Sequence, residues 1–217
     1  MGMRDVNVKG FVRRAYPAVA VLGVFVASAR AQHSVPRAVV RDGTLSFDGH
    51  ATVGDFVGST RSIAGEVSAA DDLAHAHGWV EAPVRSLRTG NDHRDRDLNK
   101  SMESDRYPTV RFELQGATVE PSTSDTVAAT LHGTLTAHGV SRGVDVPATL
   151  VYAGDAIHVT GAFPLDLRDF HVRGLSRMLG MLKMHEHILV HLDLAFAPAD
   201  GLAGRNADGA GRLGGRP

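Results

Sequence analysis

The chain has 217 residues, 23 Lys and Arg against 24 Asp and Glu, and no cysteine. That length suits one domain, or two small ones, and can bury a core without covalent staples. A net charge of −1 argues against a nucleic-acid binder held by bulk electrostatics, and the missing cysteines exclude a disulfide framework, cysteine–zinc sites and thiolate nucleophiles.

The first segment reads as a targeting sequence. Arg13 and Arg14 precede an apolar run, Ala18–Ala27, followed by Ser28-Ala29-Arg30-Ala31. A basic region, an apolar stretch and an A-x-A site define a secretory signal, here residues 1–31 with cleavage after Ala31. A membrane anchor is the alternative, but spanning takes ~18–20 apolar residues and this run is shorter and closed by Arg30. The Arg13-Arg14 pair hints weakly at twin-arginine export, since Pro17 follows and no Ser or Thr precedes it; the export route stays open. Removing the segment takes away Arg4, Lys9, Arg13, Arg14, Arg30 and Asp5, so the remaining 186 residues carry −5. An acidic, periplasmic or secreted domain follows, with no electrostatic pull toward phosphate backbones or anionic lipid.

Residues 32–197 have a period of two and are expected to form the folded domain. In Thr44–Val53 the apolar set is Leu45, Phe47, Ala51 and Val53. Ser62–Ser68 carries Ile63 and Val67 around Gly65, and Ala74–Val84 carries Ala76, Val80, Ala82 and Val84. Val110, Phe112 and Leu114 follow, then Val127–Ala137 with Leu131 and Leu135 on the apolar side. After a turn over Gly139–Gly143 come Val144, Val146, Ala148, Leu150 and Tyr152, then Ile157–Leu167 with Phe163, and last Ile188–Phe196 with Val190. These are about eight strands, joined by connections too short for crossover helices, so the sheet is antiparallel and suits a barrel or sandwich. Two stretches resist. Asp92–Met102 is polar and predicts a short rim helix. Asp169–Met184 spaces Val172, Leu175, Met178, Leu179 and Leu182 like a helix or a loop, fit for a lid or plug. Pro198–Pro217 is Gly- and Ala-rich without apolar period and reads as a flexible tail.

The inward parity carries many small residues: Gly49, Ala51, Gly65, Ala129, Gly133, Ala148 and Gly161. An eight-stranded barrel needs bulky side chains to reach its axis, so small ones leave room for a ligand. The same glycines would equally allow bulges and close approach in a tight sandwich, and the pattern leaves both open.

Three segments in order resemble the YceI-like family of exported lipid- and polyisoprenoid-binding proteins. Arg85-Ser-Leu-Arg-Thr-Gly-Asn-Asp-His-Arg-Asp-Arg-Asp-Leu98 is similar to its S-L-x-T-G … D-x-x-L stretch. Arg106-Tyr-Pro-Thr-Val-Arg-Phe112 resembles its y-P-x-i-x-F strand opening, and Leu131–Val144 its G-x-L-T-x-x-G-v-t-r-x-V hairpin. Two features depart from the family. Ser101–Asp105 stands where a Phe-Phe pair is common, and His171 ends Leu167-Arg-Asp-Phe-His171 where glycine is usual.

The resemblance implies an all-β, eight-stranded antiparallel, lipocalin-like barrel with one or two short helices, an apolar tunnel and no catalysis. Locally, Gly90 would supply a positive φ after Leu87, Tyr107-Pro108 an extended strand start, and Arg142 would lie in solvent. The tunnel is expected to be lined or capped by Phe47, Val80, Leu87, Phe112, Leu131, Leu135, Leu150, Phe163 and Val190, the bulky residues on the inward parity. The expected partner is a lipid or isoprenoid, such as a polyprenyl chain, a quinone or another amphiphile. No cofactor, metal, nucleic acid or stable membrane anchor is expected, and a homodimer stays open.

The histidines offer the rival reading, a metal-dependent enzyme or stress factor on the same barrel; a filled, purely structural core is a third. His185, His187 and His191 share a strand face with Asp193, opposite Ile188, Val190, Leu192 and Leu194. Same-face neighbours stand ~7 Å apart and His187 and His191 nearly twice that, too far for one ion, so these point to water. His75 and His77 repeat that case. Asp92, Asp95 and Asp97 alternate with Arg94 and Arg96 and read as surface ion pairs at a helix start, without the calcium-loop order. There is no G-x-S-x-G elbow, P-loop or dinucleotide glycine pattern.

Overall fold

Alternation becomes one antiparallel sheet that closes on itself. A computed structural model describes residues 35–199 except 53, 70, 71, 123, 173–175, 178–181 and 184. Its strands are β1 (Val35–Ala51), β2 (Gly54–Thr60), β3 (Ala64–Ala69), β4 (His77–Pro83), β5 (Thr109–Val119), β6 (Thr126–Ala137), β7 (Val140–Ala153) and β8 (Ala156–Asp166). After these come β9 (Ser176–Arg177), β10 (Leu182–Lys183) and β11 (His187–Pro198), and a single α-helix among the described residues, α1 (Asp92–Ser101).

The sheet runs β11-β8-β7-β6-β5-β4-β3-β1-β2, and β11 also pairs with β1, which closes the barrel. β3 pairs with the first part of β1 and β2 with its last part, both antiparallel. They therefore share one strand position, interrupted at 61–63, and the barrel has eight positions. The expected eight-stranded antiparallel barrel is the fold.

Several local expectations are corrected. β1 begins well before Thr44, because a register shift between Val40 and Asp42 switches the inward parity from Ala38 and Val40 to Leu45 and Phe47. Such a bulge bends a strand and hides its continuity from a period-two reading. β5 hides another, between Leu114 and Gly116, after which Ala117 takes the inward side. β2 is not apparent in the sequence; its inward set is Phe56, Gly58 and Thr60, with one bulky apolar residue, too few to show alternation. Of Ala74–Val84, only His77–Pro83 is strand, flanked by 3-10 turns Leu73–His75 and Val84–Ser86. The β6–β7 turn is only His138-Gly139, both with positive φ (51° and 75°), the two-residue type I′ geometry, and Val140–Gly143 is already strand. Asp92–Met102 is the helix it promised to be. Asp169–Met184 holds no α-helix where described: a 3-10 turn, Leu167–Phe170, covers its first two residues and leads to the β9–β10 pair. Pro198 is the last residue of β11, opposite Ala38, and not the start of a tail. The expected signal and the rest of the tail lie outside the described residues.

The core is a shell with two thick ends. One cluster includes Leu73, Val127, Leu150, Ile157, Leu194 and Phe196; the other Val84, Met102, Leu135, Val146, Phe163, Phe170 and Val172. Leu131 and Leu192 pack against both.

Candidate binding cavity

The space between those clusters is a cavity of about 590 Å³. Its wall is overwhelmingly apolar, built from the inward residues of nearly every barrel strand. Phe47, Val80, Leu87, Phe112, Leu131, Leu135, Leu150, Phe163 and Val190 all line it, together with Phe56, Leu98, Met102 and Phe170.

The glycines do not make this room. Phe47 faces Gly58 and Gly49 faces Phe56 across the β1–β2 ladder. The Phe56 ring occupies the place of a Gly49 side chain, with Cζ 2.5 Å from where a Cβ would stand, and the Phe47 ring fills that of Gly58. The two rings meet edge to face, centroids 6.2 Å apart. The Phe112 ring seats on Gly133, and a Cβ at Gly65 or Gly161 would strike a partner-strand carbonyl at 2.7 and 2.6 Å. Close approach is thus what these glycines provide, and the cavity comes from closing eight strand positions.

The three sequence segments that carry the family resemblance meet at the α1 end. Val84 N–H, immediately before the first segment, donates to the Pro108 carbonyl (2.8 Å) and so ties the start of the first segment to the second. The Tyr107 ring packs on the His138 ring at 4.8 Å and fills the space beside Gly139, joining the second to the third. Gly90 has the positive φ expected of it, 73°. Arg142 is exposed as expected and donates to the Asp169 carbonyl.

Asp95 is the residue that sequence reasoning misplaced. It is only 6% exposed, not a surface charge. Its Oδ1 accepts from Thr89 N–H (2.9 Å) and from the Thr89 hydroxyl (2.6 Å), and Arg88 stands 3.9 Å from its Oδ2. Burial pushes the carboxyl up, but the two Thr89 hydrogen bonds and the charges of Arg88 and Arg94 outweigh it and hold it below the ordinary carboxylate range. The spacing T-G … D-x-x-L contained this contact; the alternating charges around it concealed it.

Most polar lining lies on α1 (Asn91 at its N-cap, His93, Arg94, Asp97 and Ser101) and on β1, β2 and the turn between them (Ser46, Thr60 and Thr52). Arg94 lies over the Phe56 ring, 4.1 Å from its centroid, and its Nη2 donates to the Thr89 carbonyl at 2.9 Å.

Several histidines stand on the outside beside a carboxylate, whereas His93 lines the cavity. His191 Nε2 is 2.8 Å from Asp48, His158 Nε2 2.6 Å from Asp193, His132 Nδ1 2.7 Å from Asp145 and His75 Nδ1 2.9 Å from Asp72. His187 is 3.6 Å from Asp166, whose carboxyl is held down to about 2 by the side-chain and then the backbone hydrogen bonds of Arg168. No group of three or more candidate ligands that could hold a metal ion occurs among the described residues.

A closed antiparallel barrel around an apolar chamber, capped by one short helix, defines a barrel binding protein. The chain belongs to the YceI-like family: residues 31–196 match the YceI-like domain. Similar structures include Burkholderia cenocepacia BcnA (TM-score 0.57, 16% identity, 70% of this chain and 95% of that one). A polyisoprenoid binding domain from Saccharophagus degradans, implicated in plant cell wall breakdown, gives a TM-score of 0.55 at 14% identity over 76% of this chain and 100% of that one. A Campylobacter jejuni YceI protein gives 0.50 at 18% identity over 65% and 84%. A search of curated proteins finds no match to the chain.

Proposed function

We propose that this protein is an exported, non-catalytic carrier that holds one long apolar chain, isoprenoid or acyl, inside its barrel. The observation that carries the reading is the apolar chamber of about 590 Å³ inside the barrel. At ~30 Å³ per non-hydrogen atom, the share of a water in the liquid, the chamber suits a tail of roughly 20 atoms. Burial of such a tail is favoured by ~0.8 kcal/mol per methylene and needs few polar contacts. The polyisoprenoid-binding description of one structural relative supports an isoprenoid as the first class to test. The leader-like residues 1–31 support export.

The test is to express the full chain in a Gram-negative host, purify it from the periplasmic fraction without detergent and record native mass spectra. The expected result is a chain beginning at Gln32 with a lipid-mass adduct released by organic extraction. A protein left in the cytosol with its first residues intact would overturn export. A protein that neither carries nor takes up any apolar chain would overturn the carrier.

A further inference from the structure

We propose that Arg94 is a head-group receptor, which makes the carrier selective for amphiphiles with an anionic, oxygen-rich head, a phosphate or a carboxylate. The inference rests on the carrier reading and adds to it the chemistry of the ligand's polar end.

Among the described residues, Arg94 is the only arginine that lines the cavity. Other arginines on the barrel face carboxylates: Arg37 faces Glu66, Arg61 faces Asp42, Arg88 faces Asp95, Arg111 bridges Glu81 and Glu113, and Arg168 grips Asp166. Arg94 has no ion pair among the described residues. Its guanidinium is held by one hydrogen bond to the Thr89 carbonyl and by the Phe56 face, and its Nε is buried without a hydrogen-bond partner. A guanidinium has five N–H donors and never loses its charge. Here most of them are unused, at the one end of an apolar chamber where polar lining collects.

The nearby acids do not satisfy it. Asp95 lies close enough to feel its charge, but its oxygens are engaged by Thr89 and Arg88. Asp97 lines the same end and makes its own contact, and its charge would repel an anion that strayed further along α1. A head that lodges at Arg94 is therefore placed by attraction on one side and repulsion on the other. The remainder of the molecule, an apolar tail, points down the chamber toward Leu131 and Leu150. Bonds from a cationic donor to a charged oxygen are about twice as strong as neutral ones, so a phosphate or carboxylate is preferred over a quinone carbonyl or an alcohol.

The test uses the full chain stripped of lipid and four tails of matched length: a C20 carboxylate, a C20 prenyl phosphate and the two corresponding alcohols, sized on the ~20-atom chamber. The wild type is expected to bind at least one acid roughly tenfold more tightly than its alcohol, a preference that weakens as salt is raised. Arg94→Gln should abolish that preference and leave alcohol binding within about twofold, and Arg94→Lys should keep part of it. Comparing the two acids tells which head is the better fit. Equal losses for acids and alcohols in a folded Arg94→Gln protein would reduce Arg94 to a strut between α1 and Phe56 and overturn the proposal. Should the variants not fold, the wild type alone decides: a tighter alcohol, or an acid preference indifferent to salt, overturns it. If the wild type binds none of the four, the carrier reading itself is at fault.

Discussion

Thr89 donates both its backbone N–H and its hydroxyl hydrogen to one oxygen of Asp95, at 2.9 and 2.6 Å. This contact pins the start of α1 to the strand-end turn that carries Leu87, and so fixes the helix that caps the cavity. Asp95 backbone continues the tie, accepting from the Asn99 side chain at 2.8 Å.

Asp95→Ala should therefore be strongly destabilising. It leaves two buried donors without an acceptor, at about 1–3 kcal/mol each, so a loss of roughly 2–6 kcal/mol is expected in denaturant melts. Asp95→Asn keeps an acceptor and should lose less than half of that. A change within experimental error for Asp95→Ala would show that the α1 end does not depend on this contact.

Acid should weaken the same region, and the sign follows from the direction of the shifts. Asp95 and Asp166 both titrate below their ordinary values in the folded protein, Asp166 at about 2. Groups of this kind contribute stability that is complete above the unfolded value near ~4 and is lost as pH falls through the folded value. The difference in midpoint between wild type and Asp166→Asn should therefore be constant at pH 5–7 and shrink from about pH 4 to about pH 2. A difference that grows on acidification contradicts the assignment.

The reciprocal seating of Phe47 on Gly58 and Phe56 on Gly49 predicts a coupled response. Gly49→Ala puts a methyl 2.5 Å from Phe56 Cζ, so the ring must move. Overpacking of this kind costs about 1–3 kcal/mol. In a Phe56→Leu background the same Gly49→Ala change should cost much less, because the obstructing ring is gone. A double-mutant cycle in thermal or chemical melts measures the difference, and additive effects would show that the ring and the glycine are independent.

How much was legible follows from what each signal depends on. Inward parity depends only on alternation, so the bulky strand residues named from sequence, from Phe47 to Val190, lie on the cavity wall, and Leu87 joins them from the turn after β4 rather than from a strand. Alternation fails where a bulge flips it, as between Val40 and Asp42, and where glycine takes inward places, as in β2. Alternation leaves the role of glycine open for a related reason: Gly49 is empty in sequence, but Phe56 of the next strand fills it. Asp95 was misread because Thr89 reaches it across a turn, and no local charge pattern reports that contact. His171 shows the opposite case. It takes a left-handed φ of 58° at the position where the family pattern has glycine, so the backbone demand survived the change of side chain.

Two substitutions separate the chamber from the histidine face. Leu135 is almost fully buried on β6 and lines the cavity, with Phe112 opposite it on β5. Leu135→Asp places a carboxylate there without a partner, at a cost of several kcal/mol, and the protein should lose its ligand or its fold. His191 is half exposed on the other face of β11 and its contact with Asp48 is a surface pair, worth about 1 kcal/mol at most. His191→Ala should therefore stay folded and carry the same lipid as the wild type under the proposed function. Circular dichroism of both purified variants, followed by organic extraction and mass spectrometry, reads the outcome directly. A folded Leu135→Asp protein that retains lipid, beside a His191→Ala protein that has none, would move the functional site from the chamber to the outer histidines.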